Sequence, residues 1–165
     1  MQEGGSKTRS GDIAADPYWV TIIGVNDLAS SKDASDAIVK IKSRLAATSS
    51  AEAAAFNRWL HKQIYQLDRQ QFFAAPVLRS DGVELRQSED HFLYARCACV
   101  LAGYLAYNEV LAGRRDFSDF TTIPLQGAEA LLYSAEEVCE EIFGVEIDQL
   151  ESLPLEAGSN SKYWT

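Results

Sequence analysis

Histidine, cysteine and proline are scarce in this chain: two, three and four in 165 residues. Each scarcity excludes something. With His61 and His91 alone, and no Gly-x-Ser-x-Gly, no nucleophile–base–orienter set suggests itself. The histidines stand in neither a His-x-x-x-His nor a Glu-x-x-His arrangement, so no metal centre is expected even beside Glu89, Asp90 and His91. No Gly-rich phosphate loop and no Gly-x-Gly-x-x-Gly occurs, and no cofactor is expected. An odd cysteine count, without a secretory leader, speaks against a disulfide framework. Cys97 and Cys99 lie two apart on a predicted helix, and all three thiols, Cys139 included, are expected free in or near the core.

Long apolar runs are also missing. The longest, Phe92–Tyr107, is too short to span a bilayer and contains Arg96. Residues 1–11 are polar, carry Lys7 and Arg9, and lead into no apolar segment. The expectation is a cytoplasmic protein without membrane association.

Basic residues are absent from one long stretch. Residues 1–115 hold 14 Lys and Arg against 13 Asp and Glu, close to neutral. Residues 116–161 hold 11 acidic residues and no basic one and sum to −11, so all the excess behind the net formal charge of −9 lies there. Such a field repels nucleic acid and anionic membranes, and it speeds encounter with a basic protein.

What is present is helical periodicity at the length of one domain. Asp16-Pro17 reads as a helix start, followed by Tyr18, Trp19, Ile22 and Ile23 on one face, with a break over 26–31. Ala34, Ala37, Ile38, Ile41 and Leu45 keep helical spacing. Ser49 to Glu52 fits a capping box, opening a stripe of Ala53, Phe56, Leu60, Ile64 and Leu67, widened by Trp59. A short helical piece is predicted over 69–75. Asp81-Gly82 between apolar pairs predicts a small hairpin or a plain loop near 77–86. Ser88 is a further cap, with Glu89 and Asp90 in the first turn. That helix runs to about Ala102, where Gly103 breaks it or allows close packing. The clearest helix carries Ala128, Leu131, Leu132, Ala135, Val138, Cys139, Ile142 and Phe143 on one stripe and stops at Gly144.

The expected fold is therefore all-α: a single-domain bundle of about five or six helices over 16–152. A flexible tail precedes it at 1–15, and a loose tail follows at 153–165, in which Tyr163 and Trp164 could anchor a partner or be disordered.

The run from Ser88 through Glu89, Asp90, Phe92 and Tyr94 to Arg96, followed by Gly103, resembles the hallmark of the bacterial family of unknown function DUF4240. The family's pattern is Ser-Asp-Asp-x-Phe-x-Tyr-Phe-Arg, an apolar turn and Gly. Here Glu89 replaces an Asp and Ala95 an aromatic residue. Phe56–Leu67, Gly103–Leu111, with Tyr104 in place of an Arg, and Ala130–Tyr133 with Glu137 resemble the flanking helices. The resemblance covers roughly 17–144. It implies an α-helical domain and no established activity.

Two functional expectations follow. In the first, the chain is a protein-binding module, most concretely an immunity protein that neutralises a cognate bacterial toxin. Glu129, Glu136, Glu137, Glu140, Glu141 and Asp148 would then dock a basic partner. In the second, Arg96 works with Ser88, Glu89, Asp90 and His91 as a small-ligand or enzymatic site. Arg96 is the only Asp, Glu, Lys or Arg between Asp90 and Glu109, so it must find a partner or snorkel out. A bridge to Glu89, two turns back, would make its role structural instead.

Overall fold

The computed structural model describes residues 16–22, 28, 30–148 and 152–165. The expected N-terminal tail, Ile23 and half of the predicted break over 26–31 lie outside the described residues. The chain forms α1 (Trp19–Ile22), α2 (Ser31–Ala46), α3 (Ser50–Gln66) and α4 (Gln70–Phe73). Strands β1 (Val77–Leu78) and β2 (Glu84–Leu85) follow, then α5 (Glu89–Leu101) and α6 (Tyr104–Leu111). A 3₁₀ turn covers Phe117–Phe120. The mostly helical single domain predicted from periodicity is what forms.

The caps expected at Ser49 and Ser88 are in place, and Ser30 adds a third. Ser30, Ser49 and Ser88 each accept a hydrogen bond through Oγ from the backbone N–H three residues on, at 3.2, 3.2 and 3.1 Å. Asp16 is different. Its carboxylate does not cap α1 but accepts the Trp59 indole at 2.7 Å. That bond seats Trp59 beside Trp19, whose ring centroid lies 4.8 Å away and nearly perpendicular. Tyr104 and Tyr107 extend this aromatic cluster to α6.

Asp81-Gly82 does turn a hairpin. Val77 faces Leu85 and Leu78 faces Glu84, and Gly82 takes φ +82°. Asp81 closes the turn by accepting the Val83 N–H at 3.1 Å. Gly103 breaks the long apolar helix at φ +99°, a conformation a side chain resists.

The buried stripes match the periodicity on α2 and α3: Ala34, Ala37, Ile38, Ile41, Leu45, Ala53, Phe56, Leu60 and Ile64 are all core, continued by Leu67. Helix α5 is the centre of the molecule. Eight of its thirteen residues are buried, Cys97 and Cys99 among them, so it has no polar face of its own. The three cysteines are free and buried.

The last helix differs from a regular α-helix. It runs unbroken over Ile123–Phe143, as 3₁₀ to Tyr133, α over Ser134–Val138 (α7), and π over Cys139–Phe143. The sequence explains the tight first part. Leu125, Ala128, Leu131 and Ser134 are all buried and recur every third residue, the repeat of a 3₁₀-helix. Ala135, Val138 and Cys139 then restore α spacing against α3 and α2. Gly144 ends the rod in the left-handed conformation, and the Val145 N–H bonds back to the Cys139 carbonyl at 3.0 Å. Ile142, expected on the buried stripe, is 59% exposed because the π turn carries it off the core face.

The loose C-terminal tail is a second correction. Residues 152–165 form a strap docked across the ends of α3 and α5. Leu155, Ala157 and Trp164 pack on the core, and Asn160 is buried. The physical reason is a buried carboxylate that needs donors, described next.

Candidate functional site

Ser88, Glu89, Asp90 and Arg96 do not converge. Ser88, Glu89 and Asp90 are exposed at the start of α5, whereas Arg96 is 0% exposed two turns on. The expected bridge from Arg96 to Glu89 is not made. The Arg96 guanidinium donates to the Leu155 carbonyl at 2.6 Å and to the Ile64 carbonyl at 3.5 Å. Its face lies over the Phe92 ring at 4.4 Å, and its Nε is buried without a hydrogen-bond partner. Burial lowers its pKa, opposed by the nearby charge of Asp68.

Asp68, at the end of α3, is also 0% exposed. Its carboxylate accepts from the backbone N–H groups of Gly158 and Asn160 at 3.0 and 2.8 Å, and from the Trp164 indole at 3.1 Å. Asn160 returns a side-chain bond to the Tyr65 carbonyl at 3.1 Å. The two buried charges therefore face each other through the strap and not through a direct ion pair. Sequence reasoning missed Asp68. Its one signal was an acidic residue directly after the buried stripe of α3.

His91 is structural. Its Nε2–H donates to the Thr121 carbonyl at 2.8 Å, while Nδ1 accepts from the Gln126 amide at 2.7 Å. Thr121 in turn donates to the Pro76 carbonyl at 2.6 Å. Among the described residues no group of three or more His, Cys, Asp or Glu could hold a metal ion. The buried thiols are not reactive ones: burial pushes Cys97 up to about 12 and Cys99 higher still.

The six acidic residues expected to bind a partner separate into two groups. Glu137 is bound to Lys42 of α2 at 2.6 Å, and Glu129 lies against the half-buried Tyr94 hydroxyl. Glu136 is half-buried, while Glu140, Glu141 and Asp148 are exposed. Glu146, exposed as well, joins the second group. Between them stand Ile142, 59% exposed, and Val145, 42% exposed. The exposed acidic surface thus gathers at and just beyond the C-terminal end of the rod, where it carries Val145 and also Ile142, which sequence periodicity had placed inside.

Three open clefts border residues 70–75, of about 380, 540 and 380 Å³. Their walls include Arg114 and Phe117, Arg69 and Tyr163, and Arg86 and Trp164 respectively. Arg96 lines none of the three.

With the Ser88 cap, the buried Phe92 and Arg96 and the Gly103 break now located, the start of α5 can be set against known families. The sequence pattern of DUF4240, a protein family of unknown function, matches residues 14–141. The chain belongs to that family. No curated protein and no solved structure matches it. The strap lies wholly beyond the matched region, so the carboxylate donors of Asp68 and the shortest hydrogen bond of Arg96 come from outside it. No helix among the described residues is long and apolar enough to cross a membrane.

Proposed function

We propose that this DUF4240 member is a protein-binding module that docks a basic partner on the acidic end of its last helix, most concretely an immunity protein that neutralises a cognate bacterial toxin. One observation carries the reading. Glu140 and Glu141 occupy the final turn of a helix, where the negative end of the macrodipole disfavours carboxylates by about 0.3–1 kcal/mol each. Placing acids there lowers stability, and placing exposed Ile142 and Val145 beside them lowers solubility. Both are accounted for if the surface is kept for a partner. An apolar centre with a charged rim is the usual anatomy of an interface. The sign of the rim selects a basic partner, such as the cationic cleft of a nuclease.

The test is a pair of measurements on one variant. Tagged protein is used to recover its partner from the native host, and affinity is then measured at low and high salt. Glu140→Lys with Glu141→Lys should weaken binding by at least about 100-fold, as should raised salt, while the folded state becomes more stable. Glu137→Gln, which disturbs only the Lys42 pair, should leave affinity within about twofold. Affinity indifferent to both the double reversal and salt would sink the acidic-end mechanism.

The alternative, a ligand site or enzyme centred on Arg96, has less support. Its guanidinium is sealed from solvent and donates to two main-chain carbonyls.

A further inference from the structure

Gln87 stands between the hairpin and α5 and is 6% exposed. Its Nε2 donates to the carbonyls of Phe72, Phe73 and Ala75 at 2.7, 3.1 and 3.0 Å. That fixes the amide, because a flip would set its oxygen against three carbonyl oxygens. Its Oε1 is then buried with no hydrogen-bond partner among the described residues. A buried acceptor left unpaired lowers stability and calls for a reason. Gln87 lines one of the clefts of about 380 Å³, the one that Arg86 and Trp164 also border, so a donor bound there is the group this acceptor lacks. The rest of the wall narrows the kind of donor. Phe73 and Trp164, with ring centroids 5.5 Å apart, give the cleft aromatic surface, and Trp164 is held by its bonds to Asp68. Arg86 is exposed and makes no hydrogen bond or ion pair among the described residues. Gln70, whose Oε1 already accepts the Thr165 N–H and hydroxyl at 3.1 and 2.8 Å, has only N–H donors left. Gln70 and Ala74 also border the adjoining cleft of about 540 Å³, where the Arg69 guanidinium lies 4.0 Å from the centre of the Tyr163 ring. Neither arginine has a carboxylate partner among the described residues, in a chain of net charge −9.

We propose that this cleft binds a small ligand in which a planar ring bearing N–H is joined to an anionic group, the chemistry of a purine nucleotide. The ring lies against Trp164 and Phe73, as bases lie on aromatic side chains. Its N–H donates to Gln87 Oε1. The phosphate meets Arg86, whose paired N–H donors suit it, and Arg69 at the adjoining cleft adds charge of the same sign. The volume falls within the range of about 300–1,000 Å³ usual for ligand sites. A bare anion leaves Gln87 unpaired, and an uncharged ring leaves Arg86 unused. Only a ligand with both parts answers the whole wall. None of these residues belongs to the acidic end of the last helix, so the site stands or falls apart from the docking proposed above.

Calorimetric titration of the unaltered full chain with adenosine and guanosine monophosphates tests this. At least one should bind. Purine riboside monophosphate keeps ring and phosphate but has no N–H on its base, and it should bind at least about 10-fold more weakly. Ribose phosphate, which has no ring, should also be weaker by at least about 10-fold. Arg86→Ala removes an exposed, unpaired side chain and leaves the fold standing. It should weaken nucleotide binding by at least about 10-fold and leave the affinity of the uncharged nucleoside within about twofold. Arg114→Ala, at the third cleft, is the control and should change neither. In nitrogen–proton spectra of the unaltered protein, the Trp164 indole and Gln87 amide signals should move as nucleotide is added. Binding of neither nucleotide at millimolar concentration overturns the proposal. So does ribose phosphate binding as tightly as the nucleotide, since that is attraction of charge alone, and so does an affinity that Arg86→Ala leaves unchanged.

Discussion

The Trp164 indole reaches Asp68 twice, its single N–H shared between the main-chain carbonyl at 3.0 Å and the carboxylate at 3.1 Å. The two residues are 96 positions apart. Their contact closes the chain onto itself and fixes where the strap must lie. Trp164→Phe keeps a ring against Phe73 and loses only the shared donor, which should cost about 1 kcal/mol. Trp164→Ala removes both and should cost about 2 kcal/mol. Urea unfolding monitored by far-ultraviolet circular dichroism separates them. Equal losses for the two variants would mean that the ring packing contributes nothing, and no loss for Trp164→Phe that the hydrogen bond contributes nothing.

Arg96 is a buried cation held by carbonyls and by the field of Asp68. Truncation to alanine leaves a large void beside Phe92 and an uncompensated Asp68, at a cost of about 3–5 kcal/mol. Arg96→Met fills most of the volume and removes the desolvation penalty. It should be at least about 1 kcal/mol less damaging than the alanine variant. Chemical denaturation midpoints at equal m-values check this order, and the reverse order would show that a methionine side chain does not fit the space the guanidinium leaves.

His61 provides a pH dependence of known sign. Burial lowers its pKa from the ordinary 6.5, opposed in part by a hydrogen bond with the Leu153 backbone. The unfolded chain therefore takes up this proton at a higher pH than the folded one. Stability from this group is complete above pH about 6.5 and declines as pH falls below it toward the lowered folded value. Urea midpoints between pH 7.5 and pH 5.5 should fall for the natural sequence and flatten for His61→Gln. Parallel profiles for the two would assign the dependence to other groups.

Gly103 sits at φ +99° between α5 and α6, with open space where a Cβ would stand. Any cost of Gly103→Ala is then conformational and not steric, on the order of 1–3 kcal/mol. Thermal unfolding of this variant beside Gly113→Ala, also at positive φ, measures how much of that strain each helix end absorbs.

Local sequence signals made the caps at Ser49 and Ser88, the stripes of α2 and α3 and the Asp81-Gly82 turn legible, because each depends on neighbours within a few residues. The strap was not legible. Its reason to dock is Asp68, a residue whose burial is decided by tertiary packing 90 positions away. Arg96 was legible as a residue in need of partners, but the partners were backbone carbonyls, which composition cannot show. The acidic residues illustrate both cases. Their concentration in one region was plain, yet which of them stay exposed depended on Lys42 and on the path of the last helix.

That path sets the direction in which the proposed docking surface points. Over the eleven residues Ile123–Tyr133, 3₁₀ winding turns the chain about 220° further than α winding would and lengthens the rod by about 5.5 Å. Glu140, Glu141 and Ile142 are carried round and outward by that amount. Three-residue spacing at Leu125, Ala128, Leu131 and Ser134 therefore acts as a pointer, aiming a surface that begins six residues after its last member by the pitch of the helix that bears it.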